Sequence, residues 1–118
     1  MFLIFTPEKK LWKQNVDYIF AGQWCFSLEY EIKNKNKLKY LNHHWKSQKQ
    51  FEQDYKKLDI IYEKYLTCLH EELNSIHFIN YSKNYWRVIL GIWLKSFIDT
   101  VYDRYLFIKT ASEDKAIN

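Results

Sequence analysis

The fold is decided by residues 80–108, whose sequence is NYSKNYWRVILGIWLKSFIDTVYDRYLFI. Ser82 suits the N-cap of a helix, and no proline interrupts the residues that follow it. Because residues 88–94 leave almost no polar face, we expect this helix, over residues 82–109, to be buried on several sides. Its apolar residues recur at steps of three or four, the period of an α-helix: Trp86, Leu90, Trp93, Phe97, Val101, Tyr105 and Ile108.

A second long helix is predicted over residues 47–76. The connection HFINY, at residues 77–81, is short, so the two helices are expected to form a long antiparallel helical hairpin. The other faces of the second helix carry Lys, Glu, Asp and Gln, which indicates that one side is solvated. Its apolar residues alternate steps of four and three, close to a heptad seam: Phe51, Tyr55, Leu58, Tyr62, Tyr65, Leu69, Leu73 and Ile76.

Residues 1–25 have the pattern of a strand, a loop and a second strand. FLIFT, at residues 2–6, is a short apolar run stopped by Pro7, and DYIFAG, at residues 17–22, is another that ends on a glycine. Residues 26–46 are expected to be a long loop with some local structure, and residues 110–118 a polar tail. The predicted fold class is therefore an α/β fragment, predominantly helical, within a single domain.

Composition and charge limit the function classes. The chain has 118 residues, of which 19% are aromatic, and this content favours a packed core over disorder. The net charge of +4 comes mostly from lysines interleaved with acids, so we expect no nucleic-acid binding and rank an RNA-binding or nuclease module last. Four alternate lysines could form a phosphate-binding strand, although a solubilising loop is favoured: Lys33, Lys35, Lys37 and Lys39.

Cysteine and histidine placement argues against a metal site. Cys25 and Cys68 are far apart and have no C-x-x-C spacing, and without a signal peptide they fit a reducing cytoplasm. His43 and His44 are adjacent, and neighbours on a regular element point in different directions, so no structural metal is expected. No transmembrane segment is predicted either, because charges interrupt the long apolar stretch: Arg87, Lys95, Asp99, Asp103 and Arg104.

Gln23, Trp24 and Cys25 directly follow the second predicted strand. In open α/β sheets, ligands bind in the crevice beyond the carboxyl ends of the strands, which makes this a possible site. The alternative is that Trp24 covers the sheet edge and Cys25 is a small buried hydrophobe.

Arg87 lies just past the first turn of the helix that Ser82 is expected to cap. The helix terminus favours an anion, and a guanidinium there could hold a phosphate or a sugar carboxylate, with Tyr85 and Trp86 stacking on a sugar face. The alternative is an ion pair across the hairpin, in which Arg87 lies opposite Glu71 or the adjacent Glu72.

Several short motifs resemble one known family. They are GQWC at residues 22–25, NYS at 80–82, YWRVILG at 85–91, Trp93 with Leu94, and YDRY at 102–105. Over about residues 2–107 the chain resembles, in order and spacing, the N-terminal region of transferases from bacterial surface-polysaccharide gene clusters. It departs from that family in carrying Gln23 where Glu is usual and Tyr81 where His is usual.

The resemblance implies a function. Such proteins are glycosyltransferase-like, with two Rossmann-like halves facing a cleft, and the N-terminal half receives the acceptor glycan. The two predicted strands would then open a Rossmann-like half-domain. The chain would be the N-terminal portion of a longer cytoplasmic transferase, inactive alone, with no cofactor of its own and a nucleotide-sugar donor held by the remainder. The candidate substrate-binding residues are Trp24, Asn80, Ser82, Tyr85, Trp86 and Arg87, and no catalytic residue can be named.

A second hypothesis makes the chain a stand-alone helical protein-interaction module without catalytic activity. Its aromatic surface would bind a partner or a second copy of the chain. The expected partners are therefore the remainder of a longer transferase, or self-association, with a glycan acceptor in the first case.

Overall fold

The computed structural model describes residues 1–114 and residue 117. The chain divides into two compact units: residues 1–44 together with the chain from residue 105 onward, and residues 45–104. The first unit contains two short strands and the second two long helical segments, as the sequence predicts.

The first unit holds a small parallel sheet. Strands β1 (Phe2–Ile4) and β2 (Tyr18–Phe20) pair in parallel, with Leu3 opposite Ile19. A further parallel bridge joins Phe20 to Tyr40, and the Phe20 N–H donates to the carbonyl of Lys39 at 2.8 Å. Residues 39–41 therefore extend the sheet on the far side of β2 from β1.

Along the chain, a short helix, α1 (Leu28–Asn34), connects β2 to this third sheet segment. The Ser27 hydroxyl caps it by accepting from the Tyr30 N–H at 3.3 Å. The expectation of a loop over residues 26–46 therefore missed a helix, because only two turns of weakly periodic sequence form it. Short 3₁₀ turns at Lys9–Leu11, Gln23–Cys25 and Lys35–Lys37 complete the unit.

The second unit is built from two helical segments. Helix α2 (Gln48–His77) is capped by the Ser47 hydroxyl, which accepts from the Gln50 N–H at 3.2 Å. Helix α3 (Lys83–Glu113) contributes residues 83–104 to this unit and continues past residue 109, where the sequence predicted its end. Of the predicted tail, residues 115, 116 and 118 lie outside the described residues.

Contacts between α2 and α3 run in opposite order along the two helices. Asn74 meets Trp86, Asp59 meets Lys95 and Asp54 meets Tyr102. The helices therefore pair antiparallel, which is what a short connection requires. Their shared core consists of Leu58, Leu66, Trp86, Leu94 and Ile98.

Of the predicted heptad seam of α2, Leu58, Tyr62, Leu69 and Leu73 lie in or against the hairpin core, whereas the prediction is wrong at Tyr65. Leu66 is fully buried, whereas Tyr65 is 53% exposed. The seam takes a step of four at this point, so the apolar stripe passes through Leu66, a branched aliphatic side chain that packs into the groove of α3.

The outward face of α3 is exposed, and the expectation that this helix is buried on several sides is wrong. Val88 is 83% exposed and Ile92 is 85% exposed. The single partner helix α2 covers one side of α3, and apolar residues that point away from α2 stay in solvent. Among the residues that the structure describes, no helix has the length and apolarity needed to cross a bilayer.

Candidate functional site

The connection between α2 and α3 carries Asn80 and Ser82, two of the predicted substrate-binding residues. The Ser82 hydroxyl accepts from the Tyr85 N–H at 3.2 Å, and the Ser82 carbonyl accepts from the Trp86 N–H at 3.3 Å. Ser82 is thus the N-cap of α3, as its position predicts. Asn80 lies exposed in the connection just before it.

Asn74 of α2 clamps this turn. Its side-chain oxygen accepts from the Tyr81 N–H at 3.2 Å and from the indole Nε1–H of Trp86 at 2.9 Å. Its amide Nδ2 donates to the Tyr81 carbonyl at 2.8 Å, and His70 Nε2 lies 3.0 Å from the same oxygen. One amide side chain therefore satisfies both backbone groups of Tyr81.

The aromatic residues of this motif divide into a buried one and an exposed pair. Trp86 is 7% exposed and belongs to the hairpin core, with its indole nitrogen engaged by Asn74. Tyr81 and Tyr85 are 45% and 42% exposed, and their ring centroids are 4.3 Å apart. The tyrosine pair, rather than Trp86, is therefore the surface on which a sugar face could stack.

Arg87 makes the ion pair that the sequence suggested, but with a different partner. Its guanidinium donates through Nη1 and Nη2 to the two carboxylate oxygens of Glu63, and the Nη2–Oε2 distance is 3.1 Å. At about 100° per residue, Glu71 and Glu72 point roughly 80° and 180° away from Glu63 around α2, so neither faces α3 as Glu63 does.

A second cation completes this cluster. Lys83 Nζ lies 2.9 Å from Glu63 Oε2, so one carboxylate faces two positive charges. The hydrogen bonds from Arg87 and then Lys83 lower the pKa of Glu63 to about 2. The Arg87 guanidinium also lies 5.8 Å from the centre of the Tyr62 ring, close enough for a cation–π contact.

An open groove of about 630 Å³ follows the same side of the hairpin. Gly91 lines it, and a Cβ there would lie 2.8 Å from the Tyr62 hydroxyl. Lys95 borders the groove and contacts Asp59 at 3.1 Å and Asp99 at 3.2 Å, so its charge is neutralised within the hairpin. The lining residues are Asp59, Tyr62, Glu63, Arg87, Gly91, Ile92, Lys95 and Ser96.

The GQWC motif lies in the first unit, at the carboxyl end of β2. Gly22 is required by a close approach, since a Cβ there would lie 1.9 Å from the Trp24 ring. The Trp24 ring packs edge-on against the rings of Phe5 and Phe107, with centroid distances of 6.1 Å and 5.1 Å. The glycine thus lets the tryptophan ring fold back over its own turn.

Cys25 and Gln23 differ in their surroundings. Cys25 is fully buried, and its thiol donates to the carbonyl of Ile4 on β1 at 3.3 Å. Gln23 is exposed on the same 3₁₀ turn. Of these two side chains, only that of Gln23 therefore faces solvent.

His43 and His44 also follow the carboxyl end of a sheet segment, because residues 39–41 pair in parallel with β2. Their ring centroids are 4.4 Å apart, and both rings pack against Phe107. The expectation that their side chains diverge fails because residues 42–46 form no regular element. Sequence reasoning missed this placement; the signal was the short apolar pair Tyr40–Leu41 just before them.

The structure thus places the predicted site residues in two groups. Trp24 belongs to the sheet unit, together with Gln23, His43 and His44. The other five lie in the hairpin unit, within the turn and the first turns of α3: Asn80, Ser82, Tyr85, Trp86 and Arg87.

Comparison with known proteins gives one family. The model of the LIC12162 family transferases matches residues 1–118. Comparisons with curated proteins and with solved structures gave no match. A match that covers the chain from residue 1 to residue 118 makes this protein a member of the LIC12162 family of transferases.

Proposed function

We propose that this chain is the acceptor-side, N-terminal portion of a glycosyltransferase-like enzyme of bacterial surface-polysaccharide biosynthesis. The observation that carries the proposal is the transferase family match over residues 1–118. The nucleotide-sugar donor would be bound by the remainder of a longer cytoplasmic protein, and this chain would be inactive by itself.

The arrangement of the sheet unit supports a Rossmann-like half-domain. β1 and β2 are parallel, and α1 connects β2 to a further parallel segment at residues 39–41. Strand–helix–strand connections of this kind build the doubly wound folds, in which ligands bind beyond the carboxyl ends of the strands. We therefore place the acceptor at the carboxyl edge that carries Gln23, Trp24 and His43.

Gln23 is the residue we assign to acceptor binding. It is exposed at this edge, and its side-chain amide can both donate to and accept from a sugar hydroxyl. An amide cannot take up a proton as a carboxylate can, so Gln23 would orient the acceptor rather than act as a general base. On the hairpin unit by itself, Tyr81 and Tyr85 offer a separate surface on which a sugar could stack.

Acceptor binding tests this proposal without requiring the donor half. Saturation-transfer NMR of the chain with surface-polysaccharide oligosaccharides should show contact to the sugar ring protons. Gln23→Ala should weaken this binding tenfold or more, whereas the matched control Gln53→Ala, at an exposed position on α2, should leave it unchanged.

A panel of nucleotide sugars serves as the second arm of the experiment. We expect neither binding nor hydrolysis of these donors by the chain alone. Donor binding with no oligosaccharide binding would contradict the assignment of this chain to the acceptor side.

A second candidate function, a helical interaction module, is favoured by one observation. The outward face of α3 presents large apolar side chains to solvent over residues 88–101. A surface of this kind is typical of protein contacts, and it is compatible with a transferase role.

A further inference from the structure

The outward face of α3 forms a continuous surface, which we call the α3 stripe. Its six large residues are between 51% and 85% exposed: Val88, Ile89, Ile92, Trp93, Phe97 and Val101. Ser96 and Thr100 complete it, and both are exposed. The Trp93 and Phe97 ring centroids are 5.5 Å apart with an interplanar angle of 14°, so the stripe contains a stacked aromatic pair.

The stripe carries no charge. Between residues 84 and 101, a stretch that the structure describes completely, every exposed side chain is uncharged. The charged residues of this stretch are half-buried beside α2 and ion-paired: Arg87 with Glu63, and Lys95 with Asp59 and Asp99. By contrast, the exposed surface of α2 is highly charged, with Lys49, Glu52, Lys56, Lys57, Lys64, Glu71 and Glu72.

The area of the stripe matches that of a stable interface. Six side chains of these sizes and exposures present roughly 800 Å² of mostly apolar surface, which is about the area that each partner contributes to a standard protein interface. Depletion of charge with aromatic enrichment is the composition of an interface core.

The shape of the stripe is self-complementary. One i,i+4 ridge is bulky (Ile89, Trp93, Phe97, Val101), and the adjacent ridge tapers from Val88 and Ile92 to Ser96 and Thr100. The small residues leave a groove beside the bulky ridge. When two identical helices cross, the ridge of each can enter the groove of the other, which is the commonest helix-packing class.

We propose that a second copy of this chain covers the α3 stripe, giving a two-fold symmetric dimer that crosses near Ser96. A two-fold interface uses the same patch on both copies, so the bulky ridge and the small-residue groove of one stripe meet their counterparts in the other. The proposal does not depend on the transferase role and would hold if that role failed.

Sedimentation equilibrium in the presence of a non-thiol reductant tests the proposal directly, because the reductant excludes disulfide dimers through the exposed Cys68. We expect the dimer to predominate at about 100 µM and to dissociate on dilution. Trp93→Glu should raise the dimer Kd by thirtyfold or more, because the dimer would bury the introduced carboxylate among uncharged side chains, with no cation to pair with it. Ile60→Glu, at a 73% exposed position on α2, is the matched control and should leave the Kd unchanged.

A cross-link tests the geometry even if Trp93→Glu alters folding. With Cys68→Ser as background, Ser96→Cys should form a disulfide dimer on mild oxidation, because symmetry-related copies of residue 96 meet at the crossing point. Glu71→Cys, on an exposed turn of α2, should form no disulfide between copies under the same conditions.

Three outcomes overturn the proposal. One is a monomer at about 100 µM, and another is a dimer that Trp93→Glu leaves intact. The third is a monomer that floats with anionic vesicles but loses this binding in Trp93→Glu, which would assign the stripe to a lipid surface instead.

Discussion

Phe78 occupies a backbone conformation that usually takes glycine. It ends α2 in the left-handed region, with φ 55° and ψ 41°, and donates to the carbonyl of Ser75 at 3.3 Å while the Ile79 N–H reaches the carbonyl of Asn74 at 3.1 Å. This is the hydrogen-bond pattern of a Schellman cap, and an L-residue in it costs about 1–2 kcal/mol. The side chain is 96% exposed and so recovers little of that cost by packing.

Phe78→Gly should therefore stabilise the hairpin. We expect the free energy of unfolding to rise by about 0.5–1 kcal/mol, because the relief of strain exceeds the added entropy of the unfolded chain. Urea unfolding followed by helical circular dichroism measures the change. Phe78→Ala is the control, since alanine keeps the left-handed penalty, and an equal gain from alanine would contradict the explanation.

Glu63 makes stability depend on pH in acid. Its pKa falls from 4.5 in the unfolded chain to about 2 in the fold, through Arg87 and then Lys83. A lowered carboxyl pKa contributes stability above the unfolded value, and that stability is lost as the pH falls from 4.5 towards 2. The Glu63 side chain is 46% exposed, so screening limits the contribution to about 1 kcal/mol or less.

Glu63→Gln tests this pH dependence. Relative to the wild type, the variant should be less stable at pH 6 and nearly equal at pH 2, and the difference at pH 6 should shrink in high salt. Glu71→Gln provides the comparison at an exposed turn of the same helix. A stability gap between wild type and Glu63→Gln that is the same at both pH values would contradict the assignment of the ion pair.

Asn74 fixes the connection between α2 and α3 through its side-chain hydrogen bonds. Its side chain holds the Tyr81 N–H, the Tyr81 carbonyl and the indole nitrogen of Trp86. Asn74→Ala would leave the indole N–H without its Asn74 partner, and leaving a buried donor unsatisfied costs more than an average hydrogen bond contributes. We expect a loss of about 2–3 kcal/mol in unfolding free energy.

The same urea experiment measures the Asn74→Ala effect, with the exposed Asn84→Ala as control, which should change stability little. A second reporter is hydrogen exchange. If Asn74 fixes the turn, exchange should increase at the first amides of α3 in Asn74→Ala and remain slow around Leu66. A uniform increase along both helices would indicate general destabilisation instead.

Sequence patterns predicted the helices well, because long periodic segments with clear caps leave few alternatives. Ser82 alone marks the start of α3 through its hydroxyl. The register within α2 was harder, since Tyr65 and Leu66 are both apolar and only packing against α3 selects Leu66. The ion-pair partner was predicted from the antiparallel pairing alone, which sets Glu71 and Glu72 opposite Arg87, whereas the partner in the structure is Glu63, about two turns earlier on the face of α2 that meets α3.

The site was less predictable than the fold. Ligand-contact candidates were identified by motif, but only an exposed side chain can contact a ligand. Trp86 fits both the helical period of α3 and the motif, and the sequence could not show that it is buried. The histidines illustrate the converse, since His43 and His44 come together through irregular backbone that no periodic rule describes.

At the scale of the whole chain, the two units rest on different kinds of core. The hairpin unit buries branched aliphatic residues such as Leu58, Leu66 and Leu94 around Trp86. The sheet unit is smaller in regular structure and depends on aromatic contacts, in which the Trp12 ring meets Tyr18, Phe20 and Tyr30 edge-on at 5.4–5.7 Å. Edge-to-face contacts of this kind add about 0.5–1.5 kcal/mol each beyond burial.

One cysteine lies in each unit, and the rate at which each thiol reacts reports how accessible it is. Cys68 is exposed on α2, whereas Cys25 is enclosed beside Ile4 in the sheet unit. An alkylating reagent should therefore modify Cys68 within seconds to minutes and Cys25 only when the sheet unit opens. Mass spectrometry of intact protein should show one adduct first and a second that accumulates slowly.

The slow phase reports how often the sheet unit opens under native conditions. Its rate should rise in Gly22→Ala, because the added Cβ clashes with the Trp24 ring, while the rate at Cys68 stays unchanged. Equal rates at both thiols in the wild type would mean that Cys25 is not enclosed. The alkylation rate of Cys25 thus measures opening of the sheet unit at a thiol that the chain already carries.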